Sequence, residues 1–291
     1  MISGSAFSQA KSKLPVPPNG IWLRDSLFID KTEITNISWL EFMHYQAKDS
    51  SETIYKNALP DTSAWLSFQD TLRVNLYLRS PAYRNFPVTG ISYEQAVHYC
   101  YWRSQAVNLL YATPEGKKRL HIRNDQEVIF RFRLPAEKEW IEAASGSLDV
   151  KKYPYGYPAY GSSPRFKEKD EYYYDKTNKT VAFDVFKKEL NAYRKSKDEP
   201  FFNTVKAFKS YFEYGDYAPR SVQDERTKAN PLGVEDMIGN VAEMVAEKGI
   251  AKGGSWAHSL EGSKINKVQL YSRPEAWLGF RCVCEVSVTK K

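Results

Sequence analysis

The sequence has few cysteines and no long apolar segment. Its three cysteines, Cys100, Cys282 and Cys284, include no C-x-x-C pair and have no histidine nearby at zinc-ligand spacing, which argues against a structural zinc. Its apolar stretches are only a few residues long, whereas a membrane helix needs about 20, so no transmembrane span is encoded. Three thiols allow one disulfide and one free thiol, or three reduced cysteines, depending on the compartment.

Positive charge is in small excess and is not segregated. Lys and Arg number 42 and Asp and Glu number 35, which gives a formal net charge of +7 over 291 residues. Acids and bases alternate almost everywhere, as in Arg165-Phe-Lys-Glu-Lys-Asp-Glu171. Because nucleic-acid binding needs a patch of one sign, the sequence does not favour a nucleic-acid partner. A well-solvated surface accounts for the charge.

The first 19 residues are expected to form an extended lead-in, because Pro15, Pro17 and Pro18 interrupt regular structure there. The small-residue run in residues 1–10 resembles the end of an export signal, with cleavage near Gln9 or Ala10. We therefore interpret it as a signal-peptide remnant. The alternative is a cytosolic tail, and a longer reading frame upstream would decide between them.

Local patterns place the first strands and the first helix. Apolar residues alternate with polar ones over residues 21–30, which predicts two short strands around a turn at Asp25 and Ser26. A helix follows, with Thr35 or Ser38 as its N-cap. Order is therefore expected to begin near residue 20.

Two further helices have clear start signals. Ser92-x-x-Gln95 matches a capping box, in which the serine and glutamine side chains bond to each other's backbone amides. Pro135 suits the first position of the next helix, and Gly146 suits its end. The start of each of these helices is therefore predicted from a signal that spans only a few residues.

A Tyr- and Lys-rich insertion is predicted at about residues 157–229. Of the 20 tyrosines in the chain, 11 lie between Tyr153 and Tyr217, and regular apolar alternation is scarce there. The amphipathic rings either substitute for a core in an irregular segment or form a protein-binding surface. One amphipathic helix is expected between about Phe183 and Phe212.

Six blocks follow one another in a recognisable order. They are Asp30-Lys-Thr-Glu-Ile-Thr-Asn36, Phe86-Pro-Val-Thr-Gly-Ile-Ser92 running into Ala96-Val-His-Tyr-Cys-Tyr-Trp102, Arg133-Leu-Pro-Ala-Glu-Lys-Glu-Trp140, Asn230-Pro-Leu-Gly-Val-Glu-Asp-Met-Ile-Gly-Asn240, Lys252-Gly-Gly-Ser-Trp256 and Leu278-Gly-Phe-Arg-Cys282. This order resembles the formylglycine-generating-enzyme (sulfatase-modifying factor) domain. The resemblance implies one irregular α+β domain over residues 20–291, related to the C-type-lectin fold and low in regular secondary structure.

A narrower similarity lies between residues 59 and 103. Leu59-Pro-Asp-Thr-Ser-Ala-Trp65, Tyr77-Leu-Arg-Ser-Pro-Ala-Tyr-Arg-Asn-Phe-Pro87 and Cys100-Tyr-Trp-Arg103 are similar to gliding-motility lipoproteins of the Bacteroidota, relatives of the ring protein of type IX secretion. Those are envelope proteins that carry this domain without established sulfatase-modifying activity. The resemblance implies protein partners in the envelope and a periplasmic or outer-membrane-associated location.

The resemblance also identifies the positions at which the chemistry of the family takes place. Enzymes of the family hold copper(I) with two cysteines that follow the Gly-Gly-Ser-aromatic block. Here that block is Gly253-Gly254-Ser255-Trp256, and the two cysteine positions fall on His258 and Ser263. Thiolates select Cu(I) and hydroxyls do not, so no copper is expected and no catalytic residue is assigned.

A different oxidase would need other ligands. An iron site uses two or three His or carboxylate ligands, but His44, His98, His121 and His258 have no diagnostic spacing. A lone histidine at position 258 is more often solvated or hydrogen-bonded than a ligand. A metal-dependent oxidase or sulfatase-modifying enzyme that uses the inherited groove is therefore the alternative.

The family implies a disulfide and a calcium site. Its cysteine in the Gly-Phe-Arg-Cys block pairs with the one that matches Cys100, which implies a Cys100–Cys282 disulfide and an oxidising compartment; two reduced thiols in contact are the alternative. The calcium ligands of the Gly-Asn-x-x-Glu block map to Gly239, Asn240, Val241 and Glu243. Alternatively this block is a structural turn in which Glu243 pairs with an arginine such as Arg281.

The leading hypothesis is a non-catalytic envelope protein that binds or scaffolds partners, in gliding motility or type IX secretion. It rests on the loss of the reactive sulfurs beside the residues that shape the core. A carbohydrate-binding lectin-like module is a weaker third hypothesis, because the usual carboxylate–amide calcium signature is absent. The residues expected to shape the core are Trp102, Trp140, Trp256, Arg273, Trp277 and Arg281.

Overall fold

The computed structural model describes residues 14–49, 52–157, 174–175, 180–181, 218–224 and 227–290. Residues 1–10, in which an export-signal remnant is expected, lie outside these residues. So do the helix predicted between about Phe183 and Phe212 and most of the Tyr/Lys-rich insertion. Those expectations therefore remain predictions.

Helices and strands are mixed along the described chain, and the α+β class expected from the resemblance is confirmed. The helices are α1 (Asn36–Asp49), α2 (Glu52–Asn57), α3 (Thr71–Leu76), α4 (Tyr93–Ala112), α5 (Pro114–Arg119) and α6 (Glu137–Ser145). The strands are β1 (Gly20–Arg24), β2 (Leu27–Asp30), β3 (Gln126–Arg133), β4 (Tyr174–Asp175), β5 (Thr180–Val181), β6 (Ala242–Met244), β7 (Ile250–Lys252), β8 (Gln269–Leu270), β9 (Leu278–Gly279) and β10 (Val283–Lys290). Short 3-10 turns occupy Thr62–Phe68, Pro81–Tyr83 and Glu261–Ser263.

The first sheet joins the two ends of the described chain. Its strands run β1-β2-β10-β3 and pair antiparallel. The last strand, β10, lies between β2 and β3 and pairs with β3 along eight residues. Asp25 and Ser26 connect β1 to β2, so the predicted turn is confirmed.

Helix α4 covers the outer edge of β3. The side chain of Asn108 accepts from Phe130 N at 2.8 Å and donates to Phe130 O at 2.9 Å. One helical turn earlier, Ser104 Oγ accepts from Phe132 N at 2.8 Å. Because i and i+4 side chains share a helix face, two polar residues satisfy an edge that would otherwise be open to pairing.

The second sheet positions the loop that carries His258 and Ser263. Its strands run β8-β7-β6-β9, with β6 antiparallel to β7 and parallel to β9. After β7, Gly253 and Gly254 adopt φ values of +85° and +66°, which glycine tolerates best. A Cβ on Gly254 would lie 1.9 Å from the Oγ atom of Ser263, so glycine is required for this close approach.

The apolar core divides into three clusters. The first lies between α1, α4 and residues of both four-stranded sheets; within it Trp39 stacks on Tyr99 with ring centroids 5.5 Å apart. The second surrounds Trp140, which is fully buried, and the third surrounds Trp256. The loop that follows β7 therefore contributes directly to a core cluster.

Five of the six residues expected to shape the core are buried or partly buried, and the sixth, Arg273, is exposed. Trp140, Trp256 and Arg281 are buried, as predicted. Trp102 and Trp277 are partly buried and pack against the first cluster. The prediction was wrong for Arg273, whose side chain is 70% exposed and pairs with Glu275.

Two of the predicted helix starts are confirmed. The Thr35 alternative is the right one for α1, because Ser38 N donates to Thr35 Oγ1 at 3.4 Å. The Ser92–Gln95 capping box is present at the start of α4, with both reciprocal hydrogen bonds. Both signals are local, which is why the sequence alone revealed them.

Helix α6 begins two residues later than predicted. Its first residue is Glu137, and Pro135 lies outside the helix because Ala136 is extended, with φ −62° and ψ 152°. The carboxylate of Glu139 accepts from Ala136 N at 2.9 Å and so caps the first turn. Gly146 ends the helix in the left-handed region, as predicted.

Candidate functional site

The candidate loop comprises residues 253–263, which follow β7. Its start is fixed by two backbone hydrogen bonds to the segment before β6: Gly239 N donates to Gly253 O at 2.8 Å, and Trp256 N donates to Asn240 O at 2.9 Å. The loop therefore lies directly against the block in which calcium ligands were expected. His258 and Ser263, the two positions to which the resemblance assigns the family's copper-binding cysteines, both lie on it.

His258 is half-buried and held by two neighbours. Its Nδ1 atom lies 2.7 Å from Ser255 Oγ, and its ring packs edge-on against Trp277 with centroids 4.8 Å apart. Burial lowers the pKa of the His258 imidazole, which favours its neutral form. The side chain is therefore oriented by local contacts within its own turn and by one tryptophan.

Ser263 is a buried, hydrogen-bonded hydroxyl. Its side chain is fully buried, and its Oγ donates to Ser259 O at 2.8 Å. It packs against the backbone of Gly254, the close approach described above. A serine in this arrangement completes the packing of the loop and presents no reactive group to solvent.

Aromatic side chains from the segment before α3 cover the candidate loop. Trp65 stacks on Trp256 with centroids 5.8 Å apart and an interplanar angle of 11°, and Phe68 packs on Trp256 at 4.6 Å. The guanidinium of Arg73 lies 5.6 Å from the Trp65 ring and pairs with Asp70. Sequence reasoning missed this aromatic cover, and the only signal for it was the tryptophan in the block at residues 59–65.

Glu243 is the acceptor of a buried ion pair. Arg281 donates from Nη2 to Oε1 at 2.6 Å and from Nε to Oε2 at 2.7 Å, and Trp140 Nε1 donates to Oε2 at 2.8 Å. The two charged side chains are 0% and 1% exposed. The other Arg281 donors bind the carbonyl oxygens of Asp30, Lys31 and Glu235.

Burial and charge act against each other on this arginine. Burial alone lowers the pKa of Arg281, but the adjacent Glu243 carboxylate more than offsets it, so the pKa is raised above its usual value. The Arg281 guanidinium therefore stays charged. Such a pair matters for stability chiefly because removal of either partner would leave a buried charge without its counter-ion.

The residues expected to bind calcium lie together, and two of their side chains already have partners. Gly239, Asn240, Val241 and Glu243 form the stretch that leads into β6, and Glu243 already holds Arg281. Asn240 Oδ1 accepts from Arg220 N at 2.8 Å, so this hard donor is engaged as well. The described arrangement matches the alternative of a structural turn with Glu243 on Arg281, and the calcium site stays a prediction.

Two buried acids near this stretch were not predicted as site residues. Glu33 Oε1 accepts from Asn240 Nδ2 at 2.9 Å, while Glu33 Oε2 has no hydrogen-bond partner in the part of the chain that the structure describes. Burial, and then the negative charge of Asp236, raise the pKa of Glu33 well above its usual value. Burial likewise raises the pKa of Asp236 to about 6. Sequence spacing gives no hint that these two acids lie close enough for one charge to affect the other.

The structure brings together the two cysteines for which a disulfide is implied. Cys100 on α4 and Cys282 just before β10 are buried with their sulfur atoms 3.5 Å apart, and all three thiols are free in this structure. Burial raises the pKa of Cys282, and it raises the pKa of Cys284 to about 12. All three belong to the first core cluster, whereas the candidate loop packs on the third. The disulfide itself stays a prediction.

The other histidines do not join His258. His44, His98 and His121 are exposed and lie on α1, on α4 and after α5. Within the described ranges, no three His, Cys, Asp or Glu side chains converge as metal ligands. None of the described helices is both long and apolar enough to cross a bilayer.

Comparison with known proteins gives a match along nearly the whole chain. The family model of the sulfatase-modifying factor enzyme 1-like domain matches residues 1–286. None of the curated proteins matches the chain. Similar solved structures include Treponema denticola variable protein 1 (17% identity, 94% of this chain and 93% of that one, TM-score 0.42), CarF (17%, 92% and 93%, TM-score 0.46) and PvdO from Pseudomonas aeruginosa (16%, 69% and 63%, TM-score 0.38).

Proposed function

Because the chain belongs to the sulfatase-modifying factor enzyme 1-like domain family, we propose that it is a non-catalytic member, which serves as a binding or scaffold protein of the cell envelope. A fold can be kept while its chemistry is lost, since function depends on the site and not on the fold. The proposal concerns activity, partners and location, and each is supported by a different observation.

The absence of thiolate ligands on the candidate loop carries the proposal on activity. A neutral, hydrogen-bonded imidazole, His258, and a buried hydroxyl, Ser263, stand at the two positions where copper(I) would need sulfur. Copper(I) is a soft cation that selects thiolates, so this donor set does not fit it. Cys100, Cys282 and Cys284 cannot stand in, because they pack in a different core cluster.

The proposed partners and location rest on the similarity to gliding-motility and type IX secretion proteins. The blocks that carry this similarity, at residues 59–65 and 77–87, supply Trp65 and Tyr77 to the third core cluster. The part of the chain that resembles the envelope branch is therefore also the part that covers the candidate loop. A periplasmic or outer-membrane-associated location would also suit a Cys100–Cys282 disulfide.

Oxygen uptake with a cysteine-containing peptide tests the proposal on activity. The full chain, supplied with copper(I) or iron(II), is expected to consume no oxygen above the metal-only background and to leave the peptide mass unchanged. Conversion of the peptide thiol to an aldehyde would contradict the proposal. If that conversion disappeared in His258→Ala, the metal-dependent oxidase would become the better explanation.

Affinity purification tests the proposal on partners. The tagged full chain is expected to recover secretion or motility components from envelope fractions of its own organism, above the level recovered with an unrelated tagged envelope protein. Recovery of the same proteins with both baits, or of none, would count against a scaffold role.

A further inference from the structure

The outer face of α4 is apolar over most of its length. Val97, Tyr101 and Leu109 share one face of the helix with a single polar residue, Gln105, because the four are spaced four residues apart. Tyr101 is 62% exposed and Leu109 is 68% exposed. A surface helix usually carries charged side chains on its outer face, so this face is unusual.

The two charged residues of α4 do not interrupt this face. Glu94 lies in the first turn and pairs with Lys248. Arg103 is buried and pairs with Asp30 at 2.6 Å. The apolar face therefore continues without a charge from Val97 to the end of the helix.

Positive charge lies beside the end of this face. Helix α5 folds back against the last turn of α4 at Gly116, where a Cβ would come within 2.2 Å of Leu110 O. This close approach sets α5, which ends with Lys117, Lys118 and Arg119, against the last turn of α4, which carries Leu109 and the 48% exposed Leu110. Exposed leucines and basic residues thus lie on two helices that pack against each other.

The basic residues of α5 form no ion pair within the described residues. Lys117 Nζ donates to the Gln126 carbonyl at 3.1 Å, and Lys118 and Arg119 are exposed. Lys56, by contrast, pairs with Glu52. The positive charge beside the leucines is therefore left for an external anion to neutralise.

The neighbouring charged groups do not neutralise the positive charge of α5. Arg123 pairs with Asp125, and His121 is exposed beside them. Glu115, in the first turn of α5, is the acid nearest in sequence to the basic residues. Helix α5 therefore contains three consecutive basic residues and one acidic residue.

We propose that Tyr101, Leu109, Leu110, Lys118 and Arg119 form a surface that binds a bilayer containing anionic lipids. Exposed leucines gain free energy by entering the boundary between headgroups and acyl chains, and tyrosine favours that same depth. Lysine and arginine neutralise the lipid phosphates, which contributes about a fivefold gain in binding for each basic residue near the surface. The proposal is independent of whether the candidate loop is catalytic.

Vesicle sedimentation of the full chain tests this proposal. Binding is expected to vesicles of phosphatidylcholine with phosphatidylglycerol and not to phosphatidylcholine alone, and it is expected to weaken with salt. Leu109→Ser with Leu110→Ser should weaken binding about tenfold or more, because two apolar side chains no longer enter the membrane. Lys118→Gln with Arg119→Gln should also weaken it at least about tenfold.

The matched control changes two exposed leucines elsewhere. Leu72 and Leu76 on α3 are 61% and 40% exposed, so Leu72→Ser with Leu76→Ser should leave vesicle binding unchanged. Circular dichroism and thermal melting check that every variant folds. The proposal fails if the wild type ignores anionic vesicles or if the control loses as much binding. It also fails if light scattering shows that the Leu109 and Leu110 changes only dissociate a dimer.

Discussion

The two four-stranded sheets of this protein differ in how much buried charge adjoins them. Both contribute side chains to the apolar cluster that contains Cys100 and Cys282, and the first sheet has one buried ion pair, Arg103 with Asp30. The second adjoins buried charges, with Glu243 on Arg281 and the fully buried Lys252 on Glu137 at 3.0 Å. Apolar burial depends little on pH, whereas buried charges depend on their partners and on protonation. The two regions should therefore respond to different perturbations.

Breaking the buried ion pair is expected to have the largest effect. Arg281→Met should lower the free energy of unfolding by about 3–5 kcal/mol, because it leaves the Glu243 carboxylate buried without a cation. Urea denaturation measures this change. The matched control is Arg273→Met, since Arg273 is exposed, and it should change stability by less than about 0.5 kcal/mol. Similar losses in both variants would contradict the contrast between buried and exposed arginines.

A change of redox state should affect the first sheet. Protein isolated from an oxidising compartment is expected to contain one free thiol, that of Cys284, when thiols are counted under denaturing, non-reducing conditions. Reducing the Cys100–Cys282 disulfide should then lower the free energy of unfolding by about 2–4 kcal/mol. Cys284→Ser should leave this difference unchanged. A count of three free thiols would show that the cysteines are reduced in the native protein.

A change of pH should affect the region of the buried acids. Burial raises the pKa of Asp236 to about 6, so the folded protein binds this proton more tightly than the unfolded chain, whose value is near 3.8. Stability is therefore expected to rise as the pH falls from about 7 to about 4, by roughly 2 kcal/mol relative to Asp236→Asn. Glu33, whose pKa is also raised, acts in the same direction.

Urea denaturation of both proteins across this pH range measures the difference. The variant keeps the shape of the side chain but has no proton to gain. Parallel pH profiles for Asp236→Asn and the wild type would show that Asp236 does not titrate in this way.

Removal of calcium is expected to have the smallest effect. Because the Glu243 carboxylate is bound to Arg281, a chelator should leave the melting temperature unchanged. Differential scanning calorimetry with and without calcium makes the measurement. A rise of several degrees on adding calcium would support the family's calcium site over the arginine-bound turn.

Much of the fold could be predicted from short-range signals. The Ser92–Gln95 capping box, the Thr35 cap and the turn at Asp25 and Ser26 each depend on residues within about one helical turn or one hairpin. The start of α6 was misplaced because the rule that favours proline at the first helical position competes with an extended Ala136. A local rule cannot show whether the helix of the folded protein begins at the proline or at the glutamate two residues later.

The candidate site was predictable only as positions along the chain. The resemblance located His258 and Ser263, but the contact of Ser263 with Gly254 and the stacking of Trp65 on Trp256 depend on how distant segments meet. The pairing of Glu33 with Asn240, 207 residues apart, could not be read from spacing. Neither composition nor motifs reveal how close such residues lie in the folded chain.

The sequence by itself determined the family, the absence of cysteine from the candidate loop and the local caps that start the helices. Only the tertiary structure decided that Glu243 binds Arg281, that Glu33 is buried with one oxygen unpaired among the described residues, and that the basic helix α5 packs against the end of α4. The physical reason is range: caps and turns form between near neighbours. Burial and ion pairing are fixed only when remote parts of the chain pack together.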